Sequence, residues 1–236
     1  MEIRFKAGQM TVNSHDTTLI KAAISIQDQL RNRYPCGEMG KEIGVEVIGG
    51  ADAAYAGDTG IGVIAVLSFP ELEPIGHATA VRKVQFPYIS GLFAFRELPL
   101  YLAAYEKLGV FPDLLLINGH GYAHPRRFGL ACHAGASLGV PTIGIAARPV
   151  IGKATMPGNR EGACSPLMAG RELVGMVVRT TVKRRPVFVS AGFRTDLRYA
   201  VEMTIASSAG ERIPLPIQAA DRLARAYRKR YVPLEK

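Results

Sequence analysis

The sequence predicts an α/β fold: one mixed sheet, an antiparallel three-stranded meander continued by parallel strands, with helices flanking it. Three apolar stretches at 45–55, 61–69 and 78–84 are separated only by Gly57-Asp58-Thr59-Gly60 and by the segment from Pro70 to Pro74. Connections that short join antiparallel neighbours, because a parallel crossover needs a dozen or more residues. Beyond them a buried strand, a helix and a second buried strand follow in succession, the pattern of a parallel crossover.

Ahead of the meander, Leu19, Ala23, Ile26 and Leu30 fall at the i, i+4, i+7, i+11 spacing of an amphipathic helix, which is expected to pack across the sheet. Leu100, Ala103, Ala104 and Leu108 mark a second helix. Pro99 is tolerated only near a first helical turn, so Glu97 is expected at or beside the start of that helix. Residues 114–117 read as a buried strand, Leu130, Ala134 and Leu138 as a helix ended by Gly139, and 142–146 as the next strand. Strands at 172–181 and 187–191 follow, then helices around Leu197, Val201 and Ile205 and around Ala220, Leu223, Ala224 and Tyr227. No internal repeat or low-complexity linker interrupts the chain, and residues 1–236 read as a single domain. This order of elements is that of a ribonuclease H-like mixed sheet.

With 48% hydrophobic residues in a chain of 236, a substantial core forms without disulfides or a structural metal. The 29 Lys and Arg against 20 Asp and Glu leave a formal charge of +9, which favours a polyanionic partner through long-range attraction and counterion release. Cys36, Cys132 and Cys164 are odd in number and lack CxxC spacing. They argue against a disulfide framework or a zinc ribbon and fit a reducing, cytoplasmic setting. No apolar run approaches the roughly 20 residues of a membrane span, so no membrane association is expected, and no obligate protein partner is evident.

Metal-assisted phosphodiester hydrolysis needs carboxylates that converge from different elements, because they must clamp divalent cations around an in-line displacement. Asp52 stands in the first strand within Gly49-Gly50-Ala51-Asp52-Ala53-Ala54-Tyr55, whose small residues let a phosphate backbone come close. Taken alone, its plainer reading is a solvated strand acid.

Two longer segments change that balance. They are Phe86-Pro87-Tyr88-Ile89-Ser90-Gly91-Leu92-Phe93-Ala94-Phe95-Arg96-Glu97 and Asn118-Gly119-His120-Gly121-Tyr122-Ala123-His124-Pro125-Arg126-Arg127-Phe128-Gly129-Leu130-Ala131. Both closely resemble the signature segments of the endonuclease V family. The likeness continues through Val140-Pro141-Thr142-Ile143-Gly144-Ile145-Ala146, Val189-Ser190-Ala191-Gly192 and Pro214-Leu215-Pro216-Ile217-Gln218, leading to Asp221, and so spans nearly the whole chain from about Val45 onward. The resemblance implies a ribonuclease H-like fold and a Mg²⁺-dependent nick, with Mn²⁺ as a substitute. The nick would fall one nucleotide beyond deoxyinosine in DNA, or inosine in RNA, on the 3′ side, as a step of DNA repair. By position it assigns Asp52 and Glu97 to the metal-binding carboxylates, His124 to the active-site histidine and Asp221 to a further polar group on the last helix.

The chain departs from the family pattern at the end of the strand before the Gly-rich loop, where the family has Asp and this sequence has Asn118. An amide keeps an oxygen acceptor but loses the charge, so as third metal ligand Asn118 holds a hard cation more weakly. Asp113 cannot substitute, since it lies five strand residues away with opposite facing. Ala147 stands where the family places Lys, removing a cation able to steady developing charge. Ser90 replaces a Pro, and Phe193 a His. Asn118 also precedes Gly119, a pairing that favours deamidation to a carboxylate.

Reading a deaminated base requires extruding it into a pocket. Tyr88 resembles the family's wedge, flanked by Pro87 and Ile89 and followed by Gly91. Gly119, Gly121 and Gly129 would let backbone groups approach the extruded base. Arg126 and Arg127 beside that loop are the strongest candidates for phosphate contacts. Lys183-Arg184-Arg185 and the Arg225, Arg228, Lys229, Arg230 cluster are weaker ones, since clustered charge is also ordinary surface. The spacing of His120, His124 and His133 lacks Cys partners and does not indicate zinc. Two rival readings stay open at the level of sequence: a catalytically weak or inactive protein that binds inosine or distorted nucleic acid, and a related nuclease with an altered substrate.

Overall fold

The computed structural model describes residues 14–38 and 44–231. After helix α1 (Ser14–Arg33) come strands β1 (Val47–Ala56), β2 (Thr59–Ser68) and β3 (Pro74–Lys83), then α2 (Ala94–Tyr105). Next are β4 (Leu114–Asn118), α3 (Leu130–Leu138) and β5 (Thr142–Ala146). The remainder is β6 (Cys164–Ala169), β7 (Glu172–Val178), β8 (Val187–Ala191), α4 (Leu197–Ala206) and α5 (Leu215–Arg228). All the strands join one eight-stranded sheet in the order β3-β2-β1-β4-β5-β8-β7-β6.

The expected meander is present: β1 pairs with β2, and β2 with β3, all antiparallel. β4 runs parallel to β1, and β5 parallel to β4 with α3 between them in the chain, as the strand-helix-strand pattern predicts. Side chains alternate across the sheet with period two. On one face Ile48, Leu114, Leu116 and Ile143 pack with Ala200 of α4 and Ile217 of α5. On the other, Ala51, Leu115 and Ile117 pack with Leu98 and Tyr101 of α2 and Ala131 of α3. Gly50 lets α5 lie directly on β1, since a Cβ there would sit 2.1 Å from the Pro216 carbonyl carbon. α3 ends on Gly139 at φ +73°, the left-handed cap read from the sequence.

Four expectations need correction. The buried face of α1 carries Ala23 and Gln27, while Leu19 and Ile26 are 42% and 45% exposed. That helix rests on α3 instead of crossing the sheet, because the Gln27 side chain anchors it to the loop before α3. Pro99 lies inside α2, which begins at Ala94; Glu97 is nevertheless in the first turn. β7 stops at Val178, short of the predicted 181. Strand β6 has no counterpart in the sequence reading; Pro166 obscures it, and as an edge strand β6 tolerates a residue without a ladder donor. Among the described residues no helix is long and apolar enough to cross a membrane.

Candidate active site

The parallel register of β1 and β4 pairs Ala51 with Ile117, so the next residues along each strand, Asp52 and Asn118, come side by side. Asn118 Nδ2 donates to Asp52 Oδ1 at 3.0 Å. Glu97 reaches the same place from the first turn of α2, buried and held by two tyrosine hydroxyls: Tyr101 donates to Oε2 at 2.7 Å and Tyr55 to Oε1 at 3.3 Å. Neither tyrosine was singled out from the sequence. Tyr101 was within reach of it, because a residue four positions after Glu97 on a helix lies on the same face.

Burial pushes the Asp52 carboxyl up to about 7; the Asn118 hydrogen bond opposes this, and the nearby Asp221 charge adds to it. Burial likewise lifts Glu97 to about 8, opposed by the Tyr101 hydrogen bond and reinforced by the charge of Asp52. Asp221 on α5 accepts from Arg225 Nε at 2.7 Å. Asp52 therefore feels the Asp221 charge and Glu97 the Asp52 charge, and among the described residues neither Asp52 nor Glu97 belongs to an ion pair.

Two buried carboxylates, both raised chiefly by burial and neither in an ion pair among the described residues, suit a hard cation, and Mg²⁺ is commonly held by one or two carboxylates with substrate oxygens. Among the described residues no three His, Cys, Asp or Glu side chains form a metal-binding group. The third donor in this position is the Asn118 amide, which gives Asp52 its N–H; ligating a cation requires its oxygen instead. The donor set thus fits a divalent cation with fewer charged ligands than the family pattern supplies. Asp113 is spent elsewhere, accepting from the backbone N–H groups of Glu46 and Val47 at 3.0 and 2.9 Å. Deamidation of Asn118 is disfavoured by the sheet: the Gly119 nitrogen that would attack the amide donates to Ile145 O at 3.0 Å.

Beside the carboxylates opens a cleft of about 370 Å³, its walls including Tyr88, Gly91, Asn118, Gly119, His124 and Ala147. Its volume lies at the lower end of small-molecule sites, which run from ~300 to ~1,000 Å³. Tyr88 stands at its rim, 71% exposed, with its ring edge-on to Phe93 at 5.3 Å. His124 is buried, and burial with the neighbouring Arg126 charge drives its pKa down to about 3, so the ring is neutral. Its Nδ1 accepts from the Arg126 backbone N–H at 3.2 Å. Ala147 lines the wall where the family resemblance expects Lys, and the neighbouring Arg148 supplies the cation on this side of the cleft.

Other predicted residues have different surroundings. Gly121 and Gly129 serve close packing: a Cβ on Gly121 would lie 2.1 Å from Ala191 O, and one on Gly129 2.3 Å from His120 O. Arg127 forms an ion pair with Glu172 at 2.6 Å, and Arg126 turns inward to Gln27 and the Gly91 carbonyl. His120 bonds Arg148 O at 2.9 Å, while His133 packs edge-on against Phe95, so the three histidines have separate partners. Phe193 is buried, edge-on to Tyr34.

The mixed sheet, with an acid in its first strand, a second on the helix after the meander and an amide at the end of β4, is a ribonuclease H-like fold carrying a site at its strand ends. A family model described as Endonuclease V matches residues 28–222. The endonuclease V of Streptomyces avermitilis is 43% identical over 205 residues, covering 86% of this chain and 90% of the relative. The crystal structure of the Streptomyces avermitilis protein superposes with a TM-score of 0.84 at 42% identity, covering 89% of this chain and 93% of that one. That of Ciona intestinalis endonuclease V, in complex with a 24mer DNA containing an inosine followed by a ribo-adenosine, does so with a TM-score of 0.78 at 26% identity, covering 90% and 99%. The chain belongs to the endonuclease V family.

Proposed function

We propose that the protein is an inosine-directed, divalent-cation-dependent endonuclease that cuts one nucleotide beyond the lesion on its 3′ side, in the service of DNA repair. The observation that carries this reading is the meeting of Asp52 and Glu97, from different elements, behind Asn118, which bonds Asp52 and lines the cleft. The inosine-containing DNA bound by the Ciona relative supports the substrate class. Mg²⁺, or Mn²⁺ in its place, would be held by Asp52, Glu97 and the oxygen of Asn118, with Asp221 as a neighbouring charge. When bound, such a cation polarises the scissile phosphate and steadies the charge that develops on it.

The remaining work falls to the chain's own groups. Tyr101 and Tyr55 fix the Glu97 carboxylate in one orientation, so that no reorganisation is required as charge develops. Tyr88, exposed at the rim, enters the stack as the base leaves it, and the cleft beside Gly91 and Gly119 receives the base. The neutral His124 ring orients by hydrogen bonding and carries no charge to the phosphate. Water is the nucleophile. The net charge of +9 draws the polyanion in.

One observation favours a second reading, an inosine-binding protein that cuts weakly or not at all: Asn118 offers Asp52 a donor where the family has a third carboxylate, and Ala147 offers no cation. Incubating wild type and Asn118→Asp with deoxyinosine, inosine and undamaged oligonucleotides, with and without Mg²⁺ or Mn²⁺, separates the readings. Cation-dependent nicking at inosine by the wild type supports the endonuclease. Binding of inosine strands without cleavage by either protein replaces it with the binder, and equal cutting of undamaged strands replaces it with a nuclease of altered substrate.

A further inference from the structure

Gln27 is the unusual residue of α1, a long polar side chain only 1% exposed on a helix whose apolar Leu19 and Ile26 face solvent. Burying an amide is costly unless both of its ends are bonded. Both are: Nε2 donates to Phe128 O and Oε1 accepts from Arg126 Nε, each at 2.5 Å. Arg126 in turn donates through Nη2 to the carbonyl of Gly91. Gly91 has φ +79°, which turns that carbonyl back toward the Gly-rich loop, and a Cβ there would lie 3.1 Å from Arg126 Nη2 and 3.6 Å from His124 Nε2. Arg31, one turn beyond Gln27, adds a donor 3.4 Å from Arg126 O.

A single guanidinium therefore ties three segments that are remote in sequence: α1, the loop carrying Tyr88, and the loop carrying His124. Both Gln27 and Gly91 also line the cleft. We infer that Gln27 and Arg126 are positioning residues for base extrusion: they clamp the loop of residues 86–91 so that Tyr88 stands at the cleft rim and Gly91 forms its wall. Arg126 is thus a wedge support, whereas the sequence reading made it a phosphate contact. The inference rests on the proposed inosine-directed activity for its consequence, but the clamp itself has a readout that needs no substrate.

The test compares Gln27→Leu, Gln27→Met and Gln27→Glu with wild type in hydrogen–deuterium exchange and in steady-state cleavage of an inosine oligonucleotide, using Mn²⁺ as the cation. Gln27→Leu is expected to speed exchange in 86–93 while β2 stays protected. It should raise KM about tenfold or more with little change in kcat, since misplacing a positioning element by about 1 Å costs on the order of a hundredfold in efficiency. Gln27→Glu keeps the acceptor for Arg126 but loses the donor to Phe128 O, so it is expected to recover both quantities in part, whereas Gln27→Met, which fills the same space without an acceptor, is expected to behave like Gln27→Leu. Should Gln27→Leu fail to fold, Arg126→Lys, which cannot reach Gln27 and Gly91 together with a fixed fork, reports the same loop exchange. Unchanged exchange in 86–93, or exchange raised equally throughout the sheet, overturns the clamp. A loop that responds as expected in a protein that neither binds nor cuts inosine strands overturns the functional reading and leaves the clamp in place.

Discussion

Asn118 Nδ2 lies 3.0 Å from Asp52 Oδ1, so the side chain ending β4 gives the buried carboxylate a hydrogen-bond donor and no second negative charge. This contact gives Asp52 Oδ1 a partner within the protein. The same contact sets the terms on which a cation is accepted, because the amide must exchange its N–H for its oxygen.

Replacing Asn118 by Asp reverses both effects. In the absence of divalent cations, the variant loses the donor to Asp52 and gains a like charge, so it is expected to be less stable at pH 8 by on the order of 1–3 kcal/mol. Mg²⁺ should then stabilise it more than it stabilises the wild type, and cation affinity should rise ~10–100-fold, the scale by which groups supporting a metal site act. Urea unfolding of both proteins with and without Mg²⁺ measures this. A variant as stable as wild type and no more responsive to Mg²⁺ contradicts it.

The raised carboxyl pKa values predict how stability depends on pH. Asp52 and Glu97, at about 7 and about 8, hold protons in the fold that the unfolded chain releases near its ordinary carboxyl range, so their contribution is present at low pH and lost as pH rises through 7 and 8. The lowered pKa values of His124 and His133, at about 3 and about 4, act in the opposite sense, with stability lost as pH falls below roughly 6.5. The two effects oppose each other in the acid range and separate above it. From pH 6.5 to 8 the cation-free protein should lose stability by up to about 1.4 kcal/mol per pH unit for each carboxyl still protonated. Mg²⁺ should flatten that slope, and Asp52→Asn should reduce it. A flat profile for the cation-free wild type would argue that these groups are ionised throughout.

Tyr88 offers a test of lesion reading that leaves the fold alone. Its ring is 71% exposed and touches only Phe93 among the described aromatic contacts, so Tyr88→Ala should change folding stability by less than about 0.5 kcal/mol. If the ring fills the gap left by the base, inosine-strand binding should weaken by ~1–3 kcal/mol, the worth of a base–aromatic stack. Fluorescence anisotropy with inosine and undamaged duplexes measures the difference. Equal loss on both duplexes would mark Tyr88 as a general contact without a role in selecting the lesion.

The sheet was legible because its strands are either continuous apolar runs or joined by turns too short for a crossover. The two carboxylates were legible through the family resemblance, since Asp52 alone reads as a solvated strand acid and Glu97 closes a signature segment that runs into the first turn of α2. What escaped depends on contacts made at a distance in sequence. Gln27 reads as a surface residue until the carbonyl of Phe128, 101 residues away, and the guanidinium of Arg126 are placed against it. Leu19 and Ile26 read as a buried stripe, yet the polar anchor at Gln27 decides which face of α1 turns inward. Pro166 hid β6, whose place at the sheet edge makes the proline harmless. The resemblance located Asn118 and Ala147 as departures, but only the bond from Asn118 to Asp52 shows what the amide does instead.

The central claim is that Asp52 and Glu97 together seat a divalent cation against the nucleic-acid backbone. Titration of Mn²⁺, followed by its electron paramagnetic resonance signal in the presence of an inosine oligonucleotide, tests it in wild type, Asp52→Asn and Glu97→Gln. The account predicts saturable binding by the wild type that weakens at least tenfold in each variant, on the scale seen for losing support at a metal site. Binding that is equally tight in all three proteins would place the cation elsewhere and contradict the account.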